Sequence, residues 1–591
     1  VRPRRVHAAV WFVAAFLLVA ALASQAGAFQ GLPDLVIGCE RIHFPANRGS
    51  DTRIFFSQLD QLDQGVSDKK AKSSDPDLSS RQRRGVKEVR RLASEFFKAT
   101  DSHDRQELQK LLSETILAID NNQRPPFPTH MDAFTATREF FWQWHMPIGR
   151  GTTPAANLDP SQPNAAADQR DPVPSTFWKR PANIAGQDLA LGFGRSRLLE
   201  IHDQVWTYSA AKESYGRNPG YEVESEGTTL KLKFAELSSE AFANRIFHAL
   251  GYHVDETDYA PEVKVRYSRR IFEEFNSRKP LKIQFTFLHV IPFFSIDVQE
   301  HYDPFKYLKY AVLKDGARWT GQELKTRLLD RSGDRPVYRE DIESNIDYIV
   351  TVAANVQPKN PRLKSIGPWD FAQLDHPELR ELRGVGLLAA WVGWFDCRFD
   401  NTRLRVLKTS GDPEIVHCIS DLGGVLGETS GFVYMRGELP NAFPWRFTKP
   451  PLNQGPQRLS RPLRIYGYRP IARNPAFERM TIDDARWMAR LIGRLSESQI
   501  LSALIASGYD AAESKLYLEK LVSRRDEMIH DLGLAGEVGL LRAHINQNFN
   551  YDPSKDGTVK AMAGGKEWVA PVTSNRVVNG RLQPLRGHSC D

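Results

Sequence analysis

Three oxygen-bearing side chains in one short region have types and spacing suited to chemistry. Asp396 and Asn401 lie within Trp394–Leu407, WFDCRFDNTRLRVL, and Asp421 opens the run Asp421-Leu422-Gly423-Gly424. Taken singly, each has a structural reading: Asp and Asn form turns because their short side chains hydrogen-bond the local backbone. Brought together, a carboxamide and two carboxylates make the hard oxygen surroundings that magnesium prefers alongside phosphate oxygens.

The elements around them must do the gathering. TRLRVLK after Asn401 alternates as a strand, TSGDPE is a turn, and IVHCIS is a second strand ending just before Asp421. Two strands of similar length across a short turn make an antiparallel hairpin, so Asn401 and Asp421 meet at its open end with Asp396 close by. Gly423 and Gly424 let the chain turn sharply away. HPELRELRGVGLLAAWVGWF reads as a helix running into Asp396. Upstream, VWTYSAAKES, GYEVES and TTLKLKF read as strands. In the last of these Leu230, Leu232 and Phe234 face one way and Lys231 and Lys233 the other, toward a cleft or toward solvent. A helix from about Ser239 to Leu250 follows, with Ser238 or Ser239 as cap, Phe242, Ile246 and Leu250 as its apolar stripe and Gly251 as its stop. Glu240 sits in its first turn, where a carboxylate also favours the helix dipole.

Asp-x4-Asn, a hairpin and then Asp-Leu-Gly resemble the catalytic loop and metal-binding motif of the protein-kinase-like fold. The resemblance implies that Asp396 accepts a hydroxyl proton and that Asn401 and Asp421 hold magnesium. It also implies a strand lysine that touches nucleotide phosphates and pairs with a helix glutamate; Lys233 and Glu240 fill those places. SYGRNPGYEVESEG stands where a phosphate-covering loop belongs, with Gly216 and Gly220 as its candidates. The Lys-Phe, short turn, Ser-Glu, apolar helix pattern is similar to HipA-like atypical kinases and to a group of bacterial exported proteins. Three features depart from the family pattern: Trp394-Phe395 replaces His-Arg, Leu422 replaces Phe, and no Gly-x-Gly-x-x-Gly is present.

The order of strands first and a mainly helical remainder afterwards gives an α+β arrangement of two unequal lobes. The 591 residues, 41% hydrophobic and 26% charged, suffice for more than one domain. VRPRRVH, an apolar run and Ala26-Gly27-Ala28 read as an export signal over 1–28. A mainly helical region over 29–148, a Pro/Ala/Asn-rich linker over 149–175, a kinase-like domain over 176–545 and a tail over 546–591 complete the expected organisation. No segment after the signal is long and apolar enough for a bilayer span, and no basic run interleaved with aromatics suggests nucleic acid. The irregular stretch after Asp421 carries Arg436, Arg446, Lys449, Arg458, Arg461 and Arg464, which would favour acidic acceptors or simply be solvated. Cys397 and Cys418 fall at the hairpin's open end; two buried thiols are expected, with a disulfide as the alternative in an exported form. His417 is expected as a packed histidine.

The function expected is that of an exported phosphotransferase acting with Mg2+ and ATP on an unknown acceptor, by phosphoryl or nucleotidyl transfer. Two other classes stay open: an inactive relative serving as an envelope scaffold, and an unrelated envelope protein whose Asp and Asn residues are structural or bind calcium.

Overall fold

In the computed structural model the described residues comprise helices near the N-terminus and most of 155–541, with longer interruptions at 163–169, 193–200, 428–442 and 448–462, plus short stretches elsewhere. The expected export signal, Gly216 and Arg436, Arg446, Lys449, Arg458 and Arg461 lie outside them, as does the side chain of Arg464. Among the described residues no helix is long and apolar enough to cross a membrane.

The chain divides into two compact units, 1–123 with 373–375, and the remainder. In the first, helices α1 (Ser50–Lys70) and α2 (Pro76–Lys98) carry apolar side chains at helical spacing. Phe55, Leu59 and Leu62 are buried on one, and Val89, Leu92, Ala93 and Phe96 on the other. Ion pairs Arg83–Asp63 at 3.0 Å and Arg90–Asp60 at 2.7 Å join their polar flanks.

The second unit is mixed α/β. It contains β1 (Val205–Ala211), β2 (Gly220–Ser225), β3 (Thr228–Lys233), α3 (Leu237–Ala249), β4 (Asp258–Ala260), β5 (Lys264–Arg266), β6 (Leu308–Leu313), β7 (Arg318–Thr320), β8 (Ile346–Thr351) and β9 (Ala354–Pro358). These strands form one nine-stranded sheet in the order β7-β6-β8-β5-β1-β2-β3-β9-β4. β10 (Leu363–Gly367), α4 (Arg380–Val392), β11 (Thr402–Leu407) and β12 (Glu414–Ile419) follow, and then α5 (Ile482–Ile492), α6 (Glu497–Ala506) and α7 (Ala511–Asp531).

The alternation in β3 sorts its side chains as the sequence implies. Leu230 and Leu232 enter a core with Tyr208, Tyr221, Val223, Val265 and Ile349, and Lys233 leaves by the other face. The start of α3 corrects the expected cap. Glu236 holds that position in the left-handed region, φ 55, and makes no side-chain cap hydrogen bond. Ser239 lies inside the first turn, its hydroxyl directed to Gly423 as described below. Gly251, at φ +98, ends the segment as expected. The C-terminal helices have reciprocal caps, Thr481 with Asp484, Ser496 with Gln499 and Asp510 with Glu513.

β11 and β12 pair antiparallel from Thr402↔Ile419 to Leu407↔Glu414, and β10 adds a third strand beside β11. His417 is buried and stacks on Phe177 with ring centroids 4.0 Å apart, as a packed histidine. Within the stretch read as a linker, Asn157 donates to Val173 O at 3.0 Å and to Glu381 Oε1 at 2.9 Å, and residues 156 and 379 form a bridge. Its described parts are therefore tied to the first turn of α4.

Candidate active site

β3, α3 and the residues after β12 converge on one ammonium group. Lys233, only 5% exposed, donates to both oxygens of Glu240 at 2.8 and 2.9 Å and to Oδ1 of Asp421 at 3.0 Å. Burial works against the charge on Lys233, and the Asp421 and Glu240 carboxylates outweigh it, holding the pKa above that of an ordinary lysine. Burial likewise raises the Glu240 carboxyl, and the ammonium against both its oxygens opposes that rise. Asp421 moves the other way: the Lys233 charge comes first and overcomes burial, with Lys212 adding to it, so the carboxyl lies well below its usual range. Its side chain is 42% exposed, so this carboxylate opens toward solvent while Glu240 is sealed.

Asp421 has φ +54, the left-handed region that Asp tolerates better than most residues. The turn after it is held by α3: Ser239 Oγ donates to Gly423 O at 2.7 Å. A Cβ on Gly423 would lie 2.6 Å from the Glu236 Cβ, so glycine is required for this approach. Glu236 Oε2 accepts from Asn218 at 2.8 Å. The Glu236 carboxyl is pushed up to about 8, first by burial and then by the neighbouring Asp421 carboxylate, against the Asn218 hydrogen bond. Above the ordinary carboxylate range and up to about pH 8, the folded chain keeps a proton that the unfolded chain has released. Stability should therefore fall as pH rises through that window. Glu236→Gln is expected to flatten that part of a plot of melting temperature against pH; an unchanged slope would remove Glu236 as its source.

The Asp396 loop lies against the same turn. Phe395 N donates to Gly424 O at 3.1 Å, and a Cβ on Gly424 would be 3.2 Å from the Asp396 Cβ. Asn401 Nδ2 donates to Asp396 O at 2.8 Å, which orients the carboxamide, and Ser420 N donates to Asn401 O at 2.9 Å. The open end of the hairpin thus brings Asn401 beside the residue preceding Asp421. Arg398 Nε lies 2.6 Å from Asp396 Oδ1 as an ion pair. Trp394, where the family pattern has histidine, is fully buried and meets Phe247 of α3 edge to face at 5.6 Å, packing the loop against that helix.

Gly220 pairs with Lys233 across β2 and β3. A Cβ there would lie 2.0 Å from Leu232 O, so its glycine serves close backbone approach. Gly220→Ala is expected to cost about 1–3 kcal/mol by overpacking, measured by denaturant unfolding. Lys212 Nζ donates to Asn218 O at 2.7 Å.

No protein-family model, curated protein or solved structure matches this chain. Among the described residues, no three His, Cys, Asp or Glu side chains are grouped to hold a metal ion by themselves. Magnesium commonly takes one or two protein oxygens, with phosphates and water supplying the rest. Asn401 Nδ2 is bound to Asp396 O and Asp421 Oδ1 to Lys233, so Asn401 Oδ1 and Asp421 Oδ2 are the side-chain oxygens that those two bonds do not use. Cys397 and Cys418 are both buried free thiols, and burial raises both pKa values.

Sequence reasoning missed Arg398, Glu236 and Asn218, and gave Ser239 only a helix-capping role in place of its bond to Gly423 O. The basic side chain of Arg398 inside the Asp396 loop was a usable signal. The other three act through contacts between separate elements, for which no local spacing exists.

Proposed function

We propose that this chain binds a magnesium nucleotide, with ATP the first candidate, and transfers a phosphoryl group to an acceptor hydroxyl within a two-lobed kinase-like domain over about 176–545. The observation that carries this reading is the Lys233 ammonium held between a sealed Glu240 and an open Asp421, residues brought from a strand, a helix and a turn. A buried lysine so placed is a fixed cation beside an oxygen site, as phosphate binding requires. Lys233 would position the phosphates, with Glu240 fixing its direction. Asn401 and Asp421 would hold magnesium, which when bound neutralises phosphate oxygens. Asp396 would orient the acceptor hydroxyl and take its proton, and Arg398 beside it would balance charge on the transferring group. Chemistry of this kind depends mainly on positioning and charge neutralisation. Export through residues 1–28 and a preference for acidic acceptors belong to the same proposal.

The test is a thermal shift of the purified chain with magnesium and ATP, followed by a search for labelled phosphate on the chain itself and on acidic protein acceptors. A shift with label supports transfer, and a shift without label supports a binding module. No shift with any nucleotide and divalent ion defeats both, and stabilisation by calcium without nucleotide would favour a structural calcium site.

A further inference from the structure

Helix α4 ends just before the Asp396 loop, and the final carbonyls of a helix need donors from elsewhere. Here each finds one. Ala389 O accepts from Trp394 N at 2.8 Å, Val392 O accepts from Leu426 N at 2.9 Å, and Arg524 of α7 donates to Ala390 O and, at 2.9 Å, to Trp391 O. Arg524 is buried, and a cation at a helix C-terminus is favoured by the helix dipole.

The same guanidinium holds a second segment. It donates to Pro444 O at 3.3 Å, and its Cζ lies 4.8 Å from the Phe443 ring centroid and 5.8 Å from that of Phe447. Glu527, also on α7, accepts from Phe447 N at 2.7 Å. Phe443 in turn presses on the left-handed Gly393 that ends α4, where a Cβ would be 3.1 Å from the ring. Phe443, Pro444 and Phe447 and the turn that delivers Asp396 therefore share one buried cation and one aromatic contact.

We propose that Arg524 is a positioning residue that makes the geometry of the Asp396 loop conditional on docking of Phe443, Pro444 and Phe447 onto α7. Undocking removes the aromatic faces and the Pro444 carbonyl from a desolvated guanidinium. Arg524 then reorients toward water and releases Ala390 and Trp391, loosening Gly393–Arg398. The consequence for turnover rests on the phosphotransfer reading, whereas the structural coupling does not.

The test uses Phe447→Leu with Glu527→Gln in the full chain, which leaves Arg524, α4 and the Phe443–Gly393 contact unsubstituted, and Arg524→Lys as a second variant. Hydrogen exchange should accelerate in 443–447 and also in 393–398, while peptides covering β3 and α3 keep wild-type rates. Arg524→Lys, which keeps a charge but loses the fork, should accelerate 393–398. Faster exchange in 443–447 with unchanged 393–398 would overturn the coupling, as would uniform acceleration throughout the unit. If the chain turns over nucleotide, kcat should drop at least about tenfold at unchanged nucleotide KM. A chain that binds no nucleotide but shows the exchange pattern would keep the coupling and lose the function.

Discussion

Lys233→Met is expected to destabilise the second unit by about 3–5 kcal/mol near neutral pH, the cost typical of removing one partner from a buried ion pair. Glu240 is 0% exposed, and the lost ammonium contacts both its oxygens, so the variant strands a carboxylate without a cation. The effect should depend on pH with a definite sign. Burial already raises the Glu240 carboxyl, and without Lys233 it must rise further. A folded pKa above the unfolded one means the fold favours the protonated form. The loss should accordingly be smallest below about pH 4, where the unfolded carboxyl is also protonated, and grow as pH rises above it. Lys233→Met with Glu240→Leu should recover most of the loss, because an apolar pair of similar volume needs no desolvation. Denaturant unfolding at several pH values reads all three outcomes. A single variant as stable as the parent near neutral pH would show that the pair is not a sealed charge pair.

Asp421→Asn should do the reverse, sparing the fold and removing function. The Asp421 side chain is 42% exposed, and Lys233 keeps both contacts to Glu240 when Asp421 loses its charge, so no buried cation is stranded. Asn also accepts the left-handed backbone that position 421 adopts. The unliganded melting temperature should stay within a few degrees of the parent. The thermal shift with magnesium and ATP that the proposed function requires should vanish, and any phosphoryl transfer should fall by about 10²–10³ or more, the scale seen when one preorganised charge-stabilising group is removed. A variant that keeps the full shift would displace Asp421 from the metal site and return the Lys233–Asp421 contact to a structural role.

Much of this architecture was legible because its signals are local. The 2.0-residue period placed β3 and sorted Leu230 and Leu232 from Lys233, and the strand–turn–strand pattern gave the hairpin whose open end carries Asn401 and leads to Asp421. The cap of α3 was misjudged because serine is a strong cap former, yet Glu236 takes the position in a left-handed conformation that its own propensity disfavours. Packing against Gly423 and the hydrogen bond from Asn218 hold it there, and both come from other elements. The third strand beside the hairpin and the anchoring of Asn157 against Glu381 were equally out of reach.

By itself, then, the sequence determined which elements form and which side chains were chemically eligible: periodicity and turn chemistry act over a few residues and are written in neighbouring positions. Only the tertiary structure decided that the Lys233 ammonium is sealed, and that it meets Asp421 across 188 residues of chain. It also decided that Arg398 pairs with Asp396 and that Arg524 closes the end of α4. Those choices depend on which groups lose their water together when separate elements pack. Desolvation of that kind belongs to the assembled core and has no signature in any one stretch of residues.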